Sequence, residues 1–431
     1  MKTLPDWLVH LEGLHPKGQG GIELGLERVA RVKAELQQRQ SCPVIIVGGT
    51  NGKGSTCAYL EAIYSAAGYR VGCYTSPHLL DYNERVRVDG ASIDDAALCA
   101  AFARVETARL AAGSVALTYF EFGTLAAWEV FAARQMQVII LEVGLGGRLD
   151  AVNIYDPDVA IVTGIALDHT DWLGPTRESI GFEKAGIFRP GKPAICVDPQ
   201  PPQSLIEHAA AISADLRLIG RDFGYVASVS EWSFWNCLGE SRDGLPMPAL
   251  RGVPQLGIAA AVLAVVDALQ DRLPAPLQAL QRGLREVRLA GRFQQVRERP
   301  AIILDVAHNP QAVAGLAESL EAMGEFGQTI AVVGMLADKD IAGALKALCG
   351  KVDVWLLARL DVPRGATAET LSAVVSGSGT MVGLGGRVEC FDSPERAFRR
   401  AVGLAGENDR IAVFGSFYTV AAVLRDLGQG S

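Results

Sequence analysis

The sequence predicts an α/β protein of two domains: a larger N-terminal P-loop-type domain and a smaller C-terminal Rossmann-like α/β domain. Three observations carry that reading. The chain has 431 residues, long for one ordinary domain. Residues 44–56, VIIVGGTNGKGST, run from an apolar strand through a glycine-rich turn into a helix start. From residue 301 onward, short apolar runs alternate with helical patterns to the end of the chain, as in a doubly wound sheet.

Residues 1 to about 40 are expected to be helical, with Leu24, Leu26, Val29, Val32 and Leu36 giving an apolar stripe. Val44–Val47 reads as a buried strand, followed by the loop Gly48–Gly54 and a helix starting at Ser55-Thr56. A second strand lies in 69–78 and ends in the turn Ser76-Pro77-His78. Alanine-rich helices are expected over 94–112 and 118–135, with LTYFEFGTL (117–125) at their junction. The stretch 137–153 gives a strand ending in Glu142 and opening into glycines; 159–174 repeats the layout and delivers Asp168, His169 and Asp171.

A helix carrying Glu183 and Lys184 and the strand PAICV fall within 176–198, before a loop at 199–202. Residues 216–250 read as short antiparallel strands, and apolar helices follow near 255–270 and 275–285. The polar, arginine-rich stretch 288–300 marks the boundary, giving domains 1–290 and 301–431 with a linker at 291–300. Beyond it, strands at 301–308, 329–336, 352–360, 387–392 and 410–417 alternate with helices.

Acidic residues outnumber basic ones by 48 to 40, a formal charge of −8, which argues against a general nucleic-acid binder. The N-terminus has no secretory pattern, and no apolar run reaches membrane-spanning length, so a cytoplasmic protein with no membrane partner is expected. Eight scattered cysteines without a C-x-x-C pair fit reduced thiols.

The glycine loop is built for phosphate. Glycines let backbone N–H groups converge on an anion, and the helix N-terminus adds partial positive charge. Lys53 would bring a full charge, and Ser55 or Thr56 a hydroxyl near Mg²⁺. Gly54 separates Lys53 from Ser55, a departure from the common G-x-x-x-x-G-K-[ST] form. Ser76, Glu142 and His169 each end an expected parallel strand, where α/β proteins place ligands. Hydroxyl, carboxylate and imidazole together suit a divalent metal beside phosphates; singly they read as a turn former, a surface acid and a satisfied imidazole. Asp305, His308 and Asn309 repeat the strand-end pattern, with helix capping by Asn309 as the plain alternative. Arg292 is a phosphate-reaching guanidinium or a solvated linker residue.

The motifs GTNGKGST, YTSPHL, LTYFEFGTL, ILEVGLGGRLDAVN, IALDHTDWLG, EKAGIF, GRFQ, DVAHNP, GMLADKDI, PRGATAE and GSFYTV resemble the bacterial dihydrofolate synthase/folylpolyglutamate synthase family of Mur-ligase-like amide ligases. The resemblance spans nearly the whole chain. It implies an ADP-forming ligase that activates a pterin-bearing carboxylate as an acyl phosphate, which the amino group of L-glutamate attacks. The implied substrates are dihydropteroate and reduced folates, with ATP and two Mg²⁺ ions, acting in a monomer.

By the same resemblance, Thr50, Asn51, Gly52, Lys53, Gly54 and Ser55 match the ATP loop, and Arg292 and Asp305 further ATP positions. Ser76, Glu142 and His169 match the metal positions, and Lys184 a lysine that relatives carry as a carbamate. Thr118, Tyr119, Phe120 and Glu121, with Leu149, Asp150 and Ala151, match the pterin-substrate region, as Glu23–Leu26 does more loosely. His308 and Ser416 resemble positions near the incoming glutamate, and Lys53, Glu142, His169 and Lys184 form the expected catalytic set. The chain departs from the family at Gly257, where an asparagine usually touches the nucleotide. The rival readings are a dedicated folylpolyglutamate synthase, a peptidoglycan-type Mur ligase and a catalytically silent nucleotide-binding regulator. A peptidoglycan ligase should carry a further N-terminal domain ahead of the phosphate loop, which here begins by residue 49.

Overall fold

The structure is a computed structural model and describes residues 2–16, 21–39, 42–239, 241–377 and 386–428. The chain divides into two compact units: Met1–Ala249 with Leu256–Val287, and Leu250–Gln255 with Arg288–Ser431.

The first unit is built on β1 (Val44–Gly48), β2 (Val71–Tyr74), β3 (Val86–Val88), β4 (Ala91–Ser92), β5 (Val138–Glu142), β6 (Val159–Val162), β7 (Pro193–Cys196) and β8 (Asp215–Leu218). They pair in the order β4-β3-β2-β5-β1-β6-β7-β8. The six strands from β2 to β8 in that order run parallel; β3 and β4 close one edge antiparallel. Every residue of β1 is buried, which is why its sequence is a continuous apolar run rather than an alternating one.

Register decides what gathers where. Tyr74 pairs with Leu141, Val47 with Glu142, and Gly48 with Val162. The carboxyl ends of β2, β5, β1 and β6 therefore stand in one row, about 4.8 Å apart.

The N-terminal segment differs from the single helical stretch expected. It forms Leu4–Leu14 and Glu27–Leu36; residues 17–20 of that expectation lie outside the described residues. Gly25, at φ +155°, has a backbone no helix contains, so Leu24 and Leu26 precede the second helix. The helices expected at 94–112 and 118–135 form as Asp95–Ala111 and Tyr119–Ala133. Asp94 caps the first and Thr118 the second, the latter in a reciprocal box with Glu121. Trp128 on the second helix stacks on Tyr155 with ring centroids 3.8 Å apart.

β9 (Phe223–Ala227), β10 (Glu231–Asn236) and β11 (Ser241–Pro246) form the expected antiparallel sheet. Residues 215–218 do not join it; they are β8, paired parallel to β7. The helix Gln203–Ala211 was not expected after the proline loop.

The second unit holds β12 (Gln294–Glu298), β13 (Ala301–Leu304), β14 (Thr329–Val333), β15 (Val354–Ala358), β16 (Arg387–Phe391) and β17 (Arg410–Phe414), in the order β12-β13-β17-β14-β15-β16. β12 is antiparallel to β13. Much of the stretch expected as linker is thus an edge strand, polar because one side of it meets solvent. Leu250–Gln255 also joins this unit: Val253 N donates to Ser319 Oγ at 3.1 Å, and Arg251 to Gln295 at 2.7 Å. Among the described residues, no helix is long and apolar enough to cross a membrane.

Candidate active site

The glycine loop leaves β1 by a route that only glycine permits. Gly49 sits at φ +136°, and a Cβ there would lie 1.7 Å from Thr163 Oγ1. Gly52, at φ +91°, starts the helix with no side-chain cap. The helix begins at Lys53, two residues before the expected start, so Lys53, Gly54 and Ser55 form its first turn, where backbone N–H groups lack helical acceptors. Thr50 N donates to Gly164 O at 2.7 Å, and Thr50 Oγ1 accepts from Ala166 N at 3.1 Å. Asn51 bridges to Gly164. The loop is held rigidly to the segment leaving β6.

Two lysines converge on this loop. Lys53 Nζ donates to the carbonyls of Gly49 and Thr50, each at 3.2 Å. Lys184 Nζ, on the helix Arg177–Ala185, donates to the same Gly49 carbonyl at 2.8 Å. Lys184 is 3% exposed. Its burial, and then the nearby charge of Lys53, lower its pKa to about 7, against the opposing pull of Asp168 and Asp150. Lys184 is therefore a buried amine held by a loop carbonyl rather than a solvated helix lysine.

Ser76 and Glu142 are brought together: Ser76 N donates to Glu142 Oε2 at 2.9 Å, and Glu142 is 4% exposed. His169 is placed differently from expectation. β6 ends at Val162, and His169 lies seven residues further on, exposed, in the left-handed region at φ 52°, where it starts the short helix Thr170–Leu173. Its own N–H donates to Asp168 Oδ1 at 2.9 Å. Among the described residues, no three His, Cys, Asp or Glu side chains cluster as a ready-made metal cage. Ser76 and Glu142 offer oxygen, which matches a hard divalent cation completed by phosphate oxygens.

The stretches matched to pterin substrate are well anchored. Glu121 accepts from Thr118 N at 2.7 Å and from Arg28 at 3.0 Å, and Arg28 also pairs with Glu23. Tyr119 is buried, and Phe120 is half-buried, 5.7 Å from the Tyr74 ring. GGRLD is a closed turn: Asp150 accepts from Leu145 N at 2.8 Å and Val152 N at 3.0 Å, and Leu149 O accepts from Gly25 N at 3.2 Å. Ala151 follows, buried, at the start of a 3₁₀ turn. Burial raises the Asp150 carboxyl to about 7 despite those N–H donors. At Gly257, an added Cβ would meet only Ile219 at 3.7 Å and Tyr225 at 4.0 Å.

In the second unit, Asp305 accepts from Phe293 N at 2.8 Å and Ala307 N at 2.7 Å. Burial pushes its carboxyl up, while Arg292 and those two N–H groups pull it down. The Arg292 guanidinium lies 5.1 Å from the Phe417 ring centre, and the His308 ring 6.4 Å from it. His308 Nδ1 is 2.8 Å from Val306 O, a carbonyl that can only accept. Asn309 does cap the helix Pro310–Ala322, and Ser416 caps Phe417–Asp426. Arg292, Asp305, His308 and Ser416 therefore share one end of this sheet.

Comparison with known proteins agrees with this layout. Residues 47–221 match the Mur ligase middle domain, and residues 291–417 the Mur ligase glutamate ligase domain. The dihydrofolate synthase/folylpolyglutamate synthase of Escherichia coli is 47% identical over 98% of this chain and 94% of its own length. That of Haemophilus influenzae is 40% identical over 97% and 96%. This chain belongs to the dihydrofolate synthase/folylpolyglutamate synthase family. Among solved family structures, E. coli FolC with DHPP and ADP superposes with a TM-score of 0.91 at 46% identity, covering 99% of this chain and 98% of that one. The Yersinia pestis bifunctional synthase with AMPPNP and Mn ion gives 0.90 at 45%, with coverage of 99% and 98%.

The residues present fit the groups those family structures hold. An uncapped helix start behind two positive-φ glycines, with Lys53 alongside, suits polyphosphate. Sequence reasoning missed Thr163, which fills the space Gly49 leaves, and Arg28, which clamps Glu121 from 93 residues away. Neither carries a local motif; only packing shows them.

Proposed function

We propose that this chain ligates L-glutamate to dihydropteroate, forming dihydrofolate, and to reduced folates, forming polyglutamates, with ATP converted to ADP and phosphate. The observation that carries the reading is the row of strand ends, which sets Ser76, Glu142 and the glycine loop side by side. A carboxylate is a poor acylating agent; transfer of the γ-phosphoryl group makes an acyl phosphate that the glutamate amine attacks, and phosphate departs.

Each side chain then has a task. Thr50 to Ser55 hold the ATP phosphates, and Lys53 leaves its carbonyl partners to neutralise charge on the transferred group. Ser76, Glu142 and His169 hold the Mg²⁺ ions, whose charge offsets that of the phosphates. Lys184, as a neutral buried amine, adds through its nitrogen to the carbon of carbon dioxide and releases one N–H proton to solvent, becoming an anionic carbamate. Arg292 and Asp305 are assigned to the nucleotide, and His308 and Ser416 to the incoming glutamate. Thr118–Glu121 and Leu149–Ala151 position the pterin substrate, with Glu121 acting through its cap rather than by direct contact. We assign the protein to the cytoplasm as a monomer, which light scattering after gel filtration checks.

The test is ATP-dependent product formation with Mg²⁺ and L-glutamate, weighed by mass spectrometry. One glutamate added to dihydropteroate and further glutamates added to a reduced folate are expected. Addition to the folate alone would make it a dedicated polyglutamate synthase; ADP binding without either product would make it a regulator.

A further inference from the structure

Arg85 ends the 3₁₀ turn Tyr82–Arg85 that leads into β3. Its carbonyl accepts from Thr75 N at 2.9 Å, which fixes it beside Ser76 and, through Ser76 N, beside Glu142. The side chain is half-buried. Its Nε donates to His78 Nδ1 at 2.8 Å, and its guanidinium carbon lies 5.2 Å from the Tyr82 ring and 5.6 Å from the Tyr119 ring. Tyr119 follows the Thr118 cap in the stretch assigned to substrate.

No carboxylate among the described residues pairs with this cation. The neighbouring Glu84 is engaged elsewhere, accepting from Leu79 N at 2.8 Å, Leu80 N at 2.7 Å and Asp81 N at 2.8 Å. By contrast Arg87, two residues on, is paired with Glu61. A guanidinium stays charged at every working pH, and its planar fork matches a carboxylate. Here the Nε edge is held by an imidazole and the plane lies near two rings, while neither terminal nitrogen has a hydrogen-bond or ion-pair partner among the described residues.

We propose that Arg85 is the subsite for the carboxylate of the folate substrate that does not react. This rests on the ligase reading above. Dihydropteroate has one carboxylate, which is activated. A reduced folate carries a glutamyl residue with two, one activated and one spectator. Arg85 stands between the strand-end acids, where activation would occur, and the aromatic stretch assigned to the pterin side. It therefore serves one of the two reactions and not the other.

The experiment compares wild type with Arg85→Gln in initial-rate assays on dihydropteroate and on a reduced folate monoglutamate. The variant is expected to raise the KM for the folate on the order of tenfold to a hundredfold, at least tenfold more than it raises the KM for dihydropteroate. With a folate whose spectator carboxylate is an amide, wild type and variant should have closely similar KM values. Parallel rises for both substrates, or an unmoved folate KM, would overturn the subsite. Turnover by wild type on neither substrate would instead defeat the ligase reading, and the subsite with it.

Discussion

At the scale of single residues, the candidate site holds a few buried groups, Lys184, Asp150 and Asp305, whose ordinary chemistry is changed by where they lie. Lys184 is the clearest. With its pKa lowered to about 7, the unfolded chain binds a proton that the folded chain does not, from about pH 7 up to the ordinary lysine range. Folding stability from this group therefore rises with pH across that window, and below it the buried charge carries its full penalty. Lys184→Met should be more stable than wild type at pH 7, on the order of a few kcal/mol, yet inactive. Urea unfolding in carbon dioxide-free buffer should show the gap narrowing towards pH 10. Glu142→Ala should lower kcat by about a hundredfold to a thousandfold while circular dichroism stays native; near-normal turnover would remove it from the metal set. Gly49→Ala forces a side chain into φ +136° against Thr163, at a cost of about 1–3 kcal/mol from the backbone alone, and calorimetric titration should show weakened ADP binding. Lys53, Glu142 and Lys184 were legible as candidates because a strand end or a motif carried each. Arg28 and Arg85 were not, since their partners are set by tertiary packing.

At the scale of elements, parallel register is what turns scattered motifs into a row. The sequence predicts β1, β2, β5 and β6 from their apolar runs, and the structure has all four. It gives no sign that β3 and β4 close the edge, because strands of three and two residues leave too short a pattern. His169 was expected at a strand end but lies beyond it, at the start of a short helix, because burial lapses after Ile165 and six residues separate it from β6. The helix Tyr119–Ala133 depends on its reciprocal cap and on Trp128 packed against Tyr155. Thr118→Ala should cost about 1 kcal/mol and Trp128→Ala about 3–5 kcal/mol, both read from chemical denaturation. A Thr118→Ser variant should recover most of the first loss, since the hydroxyl and not the methyl accepts from Glu121 N.

At the scale of the whole molecule, each unit has its own buried core, so unfolding need not be a single transition. Saturating ADP and Mg²⁺ at about a hundred times Kd should stabilise the binding-competent state by about 2.7 kcal/mol; a melting temperature unmoved by nucleotide would contradict the phosphate loop. Two α/β units were legible from alternating patterns, but not the path between them. Residues 294–298 looked like linker because polar edge strands share its composition, and 250–255 gave no hint of belonging with the second unit. That hexapeptide has a practical consequence. The chain passes from one unit to the other three times, after Ala249, Gln255 and Val287. No single nick divides the protein cleanly: a gene split after Val287 leaves six residues of the second unit, with their bonds to Gln295 and Ser319, on the first fragment. Separately made halves would each be incomplete, and any reconstituted activity would depend on that short strap finding its place.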